Sequence, residues 1–142
     1  MKKTKILIFT GAGVSKESGL DTFRNGDNAL WDNYNIDDVA TDYAWRNNPE
    51  KVIDFYNKRR KEMCGVIPNK AHDIIASLEE KFDVTIVTQN VDNLHEKAGS
   101  TNVIHLHGNI TKLRSDYNCD TKKEYDRDLK IGDVCEEGGQ FR

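Results

Sequence analysis

The chain has 142 residues, enough for one domain with a core of its own. Its 21 lysines and arginines are scattered among 24 acidic residues, for a net charge of −3. That balance gives no electrostatic footprint for nucleic acid and no polybasic membrane contact. No stretch approaches the length of a membrane span, and Lys2-Lys3 precede too short an apolar run for a signal peptide. Cys64, Cys119 and Cys135 form no C-x-x-C pair and leave one cysteine odd, which suits a reducing cytoplasm. Hydrophobic residues make up 37% and charged residues 32%, so the chain buries little for its size and reads as part of a larger fold.

Lys5 to Thr10 reads as a buried parallel strand, a continuous apolar run ended by glycine. Gly11 to Arg24, GAGVSKESGLDTFR, follows as a glycine turn leading into a helix that can open at Ser15. Gly11 and Gly13 allow close backbone approach, and N–H groups at such a turn favour a phosphate. A Rossmann fingerprint would need glycine where Lys16 stands, and the Gly-Lys-Ser/Thr of a P-loop is absent. From the glycines alone, a nucleotide site and a plain strand-to-helix turn are equally balanced. Asn25 to Asn35 reads as a loop over this turn, with Trp31 as its surface anchor, and Ile36 to Ala44 as a short helix.

Asn48-Pro49 supplies an N-cap and an N1 proline for a helix through about Met63. Its inward face would carry Val52, Ile53, Phe55, Tyr56, Arg59 and Met63. Gly65 to Pro68 breaks the pattern and Asn69 caps the next helix, whose stripe is Ala71, Ile74, Ile75 and Leu78. Val84 to Thr88 is a second parallel strand, ended by Gln89 to Asp92. A short helix through Ala98 stops at Gly99, and Val103 to His107 is a third strand.

The fold class is therefore α/β: half of a doubly wound parallel Rossmann-like sheet, drawn from residues 1–35 and 82–112. Residues 36–81 form a helical insertion, and 113–142 begin a small polar module. Such a half sheet leaves an edge and an apolar flank exposed. Ligands of open α/β sheets collect at the carboxyl ends of the strands. Here the glycine turn, Gln89 to Asp92, and His107-Gly108-Asn109 sit at those three ends, which points to one shared site.

These three blocks, in this order, resemble the signature motifs of the sirtuins, the NAD-dependent protein deacylases. GAGVSKESGLDTFR is similar to GAG-x-S-x-x-SG-(I/L/V)-x-x-FR, and TQNVDNLH and HGN follow it. The resemblance implies NAD as a consumed co-substrate and an acylated lysine of a protein as its partner. It assigns His107 as the general base, and an imidazole titrates close enough to neutrality for that task. Spacing alone does not choose between His105 and His107. The resemblance places Gly11, Ala12, Gly13 and Ser15 near the cofactor, with Ser15 capping the helix beside the phosphates. Phe23 and Arg24 would lie against the nicotinamide ribose. Gln89, Asn90 and Asp92 would line the ribose and nicotinamide pockets, although polar residues at a strand end also serve as helix caps. His72 and His95 read as core residues.

In the mechanism that the resemblance implies, the acyl oxygen attacks the anomeric carbon of NAD as nicotinamide leaves. His107 then takes a proton from a ribose hydroxyl, and the products are free lysine, nicotinamide and O-acyl-ADP-ribose. Tyr56 and Arg59 are similar to the Y-x-x-R motif of sirtuins that remove succinyl and malonyl groups, whose carboxylate an arginine fork can bind. Sirtuins commonly carry four zinc-binding cysteines in two C-x-x-C pairs. Cys119 and Cys135 alone are too few for that site, so no metal is expected. The resemblance also points to a missing carboxyl-terminal half that would complete the adenosine pocket. Two rival functions are an NAD hydrolase of a defence type and a non-catalytic nucleotide-binding fragment.

Overall fold

Three short apolar runs at the predicted positions pair side by side. Strands β1 (Lys5–Thr10), β2 (Asp83–Thr88) and β3 (Val103–His105) form a parallel sheet in the order β1-β2-β3. The computed structural model describes residues 2–20, 34–115, 122–124 and 127–133, with backbone alone for 122–124. By its internal contacts the chain divides into two compact units, Met1–Leu30 with Gly65–Asn109, and Trp31–Cys64 with Ile110–Arg142. The division differs from the boundaries drawn from sequence, because the helix after Asn69 belongs with the sheet.

In the first unit the register sets Thr10 opposite Thr88, and Thr88 opposite His105. Neighbours in a parallel register share a face, so these three strand-end residues form one row. Val84 and Ile86 lie on the same face and are buried, with Ile86 fully so. Helices α4 (Lys70–Ser77) and α5 (Leu94–Lys97) supply the buried His72, Leu94 and His95, and His95 reaches Thr10 on that face. The opposite face is open: Leu7 is 71% and Phe9 61% exposed, and Ile104 is also exposed. β1 is thus half-buried at Ile6 and Ile8 and buried at Thr10 on one face only, where the continuous apolar run implies burial on two. Among the described residues the apolar flank expected of a half sheet is present.

Between β1 and α4, Ala12–Ser18 forms a 3₁₀ helix closed by Gly19, whose φ of 89° is a left-handed conformation that favours glycine. Asn69 ties this helix to α4. Its side-chain oxygen accepts from the Ala71 N–H at 2.9 Å, and its amide donates to the Val14 carbonyl at 2.7 Å and Ser18 Oγ at 3.0 Å. The inward face of α4 is centred on His72 rather than on the predicted stripe. Ala71 and Ile74 point outward, and Ile75 and Leu78 are half-buried. An eight-residue helix buries the narrow face that meets α5, and His72 stacks edge-on against His95 there.

The second unit is built on α3 (Pro49–Met63), capped by Asn48 and started by Pro49 as the sequence indicates. Before it lie α1 (Ile36–Val39) and α2 (Asp42–Asn47) in place of one helix. Thr41 divides them by accepting from the Ala44 N–H at 3.0 Å. Ile53, Leu113 and Leu129 pack together, with Trp45 against them. Asn57 pairs with both backbone groups of Leu129, at 2.9 Å each, and Arg60 Nε donates to the Ile110 carbonyl at 3.1 Å. β4 (Lys112–Arg114) and β5 (Lys122–Glu124) complete the unit as an antiparallel pair.

The two faces of the sheet give a stability contrast. Ile86→Ala, at a fully buried position, should cost about 2–5 kcal/mol in urea unfolding. Phe9→Thr, on the open face, should change stability by no more than about 0.5 kcal/mol.

Candidate active site

The turns after β1 and β2 are joined by one hydroxyl. Ser15 Oγ donates to Asp92 Oδ2 at 2.9 Å and accepts from Asn90 Nδ2 at 3.1 Å. All three residues are buried. Asp92 Oδ1 also accepts the Leu94 N–H at 3.1 Å, so one carboxylate starts α5 and holds the first turn. The expected role of Ser15 as an N-cap is corrected here. The helix begins at Ala12 with Gly11 as its N-cap, and Ser15 lies inside it with its hydroxyl turned to Asp92. Proximity of the two strand ends, which spacing along the chain does not reveal, redirects the hydroxyl.

Gly11 has an extended backbone that any residue adopts. A Cβ at Gly11 would make only ordinary contact with Gln89 Oε1, and one at Gly13 would meet nothing within 4 Å. Among the described residues, the space beside these glycines is therefore left open. A carboxylate, a carboxamide and a hydroxyl gathered next to open backbone suit a ribose or nicotinamide group that needs both donors and acceptors. Gln89 is exposed beside them. Phe23 and Arg24, like Trp31, Cys119 and Cys135, lie outside the described residues. Among the described residues no group of three or more His, Cys, Asp or Glu could hold a metal ion.

His107 stands past the end of β3, in a turn, and is exposed. Its Nδ1 lies 3.0 Å from the Gln89 carbonyl oxygen. A carbonyl oxygen can only accept, so Nδ1 carries a proton, and in the neutral ring Nε2 is then the nitrogen with the lone pair. The neutral ring is thereby set in the tautomer a general base needs. His105, the last residue of β3, has its Nδ1 2.8 Å from the Asn90 carbonyl and its Nε2 2.8 Å from Glu96 Oε1. Burial disfavours charge on His105, but the hydrogen bonds to Glu96 and Asn90 outweigh it and raise its pKa. Burial likewise works against charge on Glu96, and the His105 hydrogen bond overrides it to hold the carboxyl below its ordinary range.

His72 and His95 are fully buried with ring centroids 4.9 Å apart. His72 Nδ1 accepts the Asn69 N–H at 3.3 Å, so its proton sits on Nε2, which has no partner among the described residues. His95 Nε2 lies 3.0 Å from Thr10 Oγ1, and its Nδ1 has no partner among the described residues. Burial lowers both pKa values, and the neighbouring His72 ring further disfavours charge on His95. The core role read from sequence fits both residues. The reading of the sequence misses Glu96. Its only signal there is its place on α5, four residues after Asp92.

In the second unit, Tyr56 and Arg59 share the inward side of α3, as their spacing implies. Arg59 is buried and its Nη1 donates to Glu62 Oε2 at 2.7 Å. Tyr56 is half-buried, packs edge-on to Phe55 at 5.1 Å, and has its hydroxyl pKa raised by burial.

A sequence profile of the Sir2 family matches residues 11–137, and the chain belongs to that family. An NAD-dependent protein deacylase of Helicobacter pylori is 46% identical over 137 residues, covering 96% of this chain and 59% of the relative. An NAD-dependent protein deacylase of Bacteroides thetaiotaomicron is 46% identical over 143 residues, covering 96% of this chain and 61% of the relative. A solved Sir2 homologue–NAD complex is 40% identical with a TM-score of 0.80, covering 99% of this chain and 55% of that one. A Sir2 histidine mutant with a deacetylated p53 peptide and 3′-O-acetyl ADP-ribose is 31% identical with a TM-score of 0.77, covering 98% of this chain and 58% of that one. The Rossmann-like α/β fold is thus that of the family. The chain spans about three fifths of the length of the Helicobacter relative.

The histidines make stability depend on pH in two directions. His72 and His95 have folded pKa values below the ordinary 6.5, so their contribution is present above that pH and lost as pH falls below it. His105, raised above 6.5, contributes fully below 6.5 and loses its contribution as pH rises through its folded pKa. Melting temperature should therefore fall on acidification below pH ~6.5, with a limiting slope of about 1.4 kcal/mol per pH unit for each proton taken up. His72→Gln should flatten the acid limb when melts are compared from pH 7.5 to 5.

Proposed function

We propose that the protein carrying this chain removes acyl groups from lysine side chains of proteins, with NAD as consumed co-substrate. Membership of the Sir2 family and the activity by which relatives of about 46% identity are named support this reading. The observation that carries it is the orientation of His107, with Nδ1 committed to the Gln89 carbonyl and Nε2 left as acceptor.

NAD, when bound, supplies an ADP-ribosyl group that receives the acyl oxygen as nicotinamide departs. Asn90 and Asp92 would hold its ribose and carboxamide, as buried polar groups already ordered through Ser15. Preordering lowers the entropic cost of binding. Ala12 and Gly13 would offer backbone to it beside the space that the glycines leave, with Gly11 and Gln89 at its border and Phe23 and Arg24 completing the set. His107 Nε2 then takes the proton of a ribose hydroxyl, and the Gln89 carbonyl stabilises the imidazolium that forms through the Nδ1–H bond.

The acyl group removed is proposed to be acidic, succinyl or malonyl, as well as acetyl. An arginine held on the inward side of a helix is a fixed carboxylate receptor. Tyr56, kept protonated by its raised pKa, adds a hydroxyl donor. The acyl carboxylate would take from Arg59 the place that Glu62, itself exposed, now holds.

Incubated with NAD and an acylated peptide, the protein carrying this chain should release nicotinamide only when the peptide is present. His107→Ala should lower that turnover by about 100-fold or more while leaving NAD binding within a few-fold. Nicotinamide release without peptide would favour the NAD hydrolase instead. Arg59→Met should cut desuccinylation by about 10- to 100-fold, the worth of a charge-assisted hydrogen bond, and largely spare deacetylation. Equal losses on both substrates would make Arg59 a structural residue.

A further inference from the structure

We propose that His105 is a positioning residue that works as an imidazolium, clamping the Asn90 carbonyl to the Glu96 carboxylate and so holding His107 in its base tautomer. His105 and His107 bond to consecutive carbonyls, those of Asn90 and Gln89. The segment after β2 is therefore fastened to the end of β3 by two imidazoles, one half-buried and one exposed.

Both nitrogens of His105 face acceptors, and at Nε2 the Glu96 oxygen at 2.8 Å is nearer than the one donor there, Asn109 Nδ2 at 3.2 Å. The Asn90 carbonyl at 2.8 Å requires a proton on Nδ1. Glu96 Oε1 at 2.8 Å requires one between it and Nε2. A neutral ring would set two lone pairs against each other at that distance. The ordinary pKa values of the two groups, about 6.5 and 4.3, place the shared proton on the imidazole. Glu96 offers a second reason. Its other oxygen, Oε2, is buried without a partner among the described residues, so the carboxylate is compensated through Oε1 chiefly by His105, with Asn109 Nδ2 further off at 3.4 Å. Losing the Nε2 proton would leave that half-buried carboxylate without its shortest hydrogen bond, which is costly.

The charges facing His105 agree. Glu96 on α5 and Asp92 in the turn after β2 favour its protonation, while burial opposes it. His95 on α5 is the nearby group of like sign, and it is held neutral by burial.

The clamp acts on His107 through the backbone. The peptide plane between Gln89 and Asn90 carries both the Gln89 carbonyl and the Asn90 N–H. Thr88 Oγ1 accepts that N–H at 3.0 Å, His105 holds the next carbonyl, and Ser15 holds the Asn90 side chain. With Asn90 fixed at three points, the Gln89 carbonyl has one direction, toward His107 Nδ1. A neutral His105 that keeps its one proton on Nε2 for Glu96 frees the Asn90 carbonyl end and lets the Gln89 plane rotate, and the His107 tautomer is then no longer imposed.

The catalytic consequence rests on the function proposed above, but the protonation states do not. They can be read in the chain labelled with ¹⁵N-histidine, by long-range ¹H–¹⁵N correlation from pH 5 to 9. At pH 7 His105 should show two protonated nitrogens and His107 a proton on Nδ1 alone. Glu96→Gln should lower the His105 pKa by about one unit or more. His105→Gln should convert His107 to a mixture of tautomers. A neutral His105 at pH 7 in the unaltered chain overturns the proposal without need of any variant. So does a His107 tautomer unchanged in His105→Gln. If the imidazolium is seen but no NAD-dependent turnover is found, the clamp stands and the proposed function fails. If turnover is found while His105 is neutral, the function stands and the clamp fails.

Discussion

The first unit depends on a single buried hydroxyl. Ser15 Oγ is the point at which the turn after β1 and the turn after β2 meet, donating to Asp92 and accepting from Asn90. Each of the three side chains satisfies a polar group that burial would otherwise strand. The interaction therefore serves two ends. It fixes the relative position of two strand ends, and it leaves a carboxylate and an amide already oriented next to the open backbone at Gly13. Asp92 extends the effect by starting α5, the helix that carries His95 and Glu96.

From that point outward, polar contacts run along one side of the sheet. Thr10 meets His95, Asn90 meets Thr88 and His105, and His105 meets Glu96. The site side of the sheet is thus held by directional bonds at the strand ends and by apolar packing at Val84, Ile86 and Leu94. The other side, with Leu7, Phe9 and Ile104 in the open, carries only exposed polar pairs among the described residues, Asn102 with Thr85 and Lys5 with Asp83. A parallel sheet is ordinarily covered on both faces. The strand pairing here keeps its register because a one-residue slip would carry the buried set to the open face.

Placing polar residues so densely has an energetic cost. His72 Nε2, His95 Nδ1, Glu96 Oε2 and Ser100 Oγ are buried without partners among the described residues, and each such group is worth about 1–3 kcal/mol of lost stability. They lie within or beside the segments that build the site, where strain and unsatisfied groups accumulate in functional proteins. The second unit meets its polar groups differently. Asn57 and Arg60 on α3 bond to the backbone of Leu129 and Ile110, which frees the apolar side of the helix for Ile53 to pack on Leu113 and Leu129.

Much of this is legible along the chain. The strands at Lys5–Thr10 and 83–88, the helix Pro49–Met63 with its Asn48 cap, and the stop at Gly99 follow from local signals: apolar runs, a proline at N1, an N-cap and a glycine. Order along the chain also places the three motifs at strand ends, since a parallel sheet sends every carboxyl end the same way. What local signals do not carry is the partner of each polar side chain. Ser15 reads as a cap for its own helix, because a nearby N–H is the usual partner of a serine. It bonds instead to residues more than seventy positions away. The stripe on α4 reads as inward because hydrophobicity marks a face, yet the buried residue is His72, whose ring meets a second histidine. Residue types and their spacing determined the elements, their order and the family of chemistry. The distance between strand ends, set only when the sheet forms, decided which hydroxyl meets which carboxylate, which histidine meets a carboxylate and a carbonyl at once, and which meets a carbonyl alone.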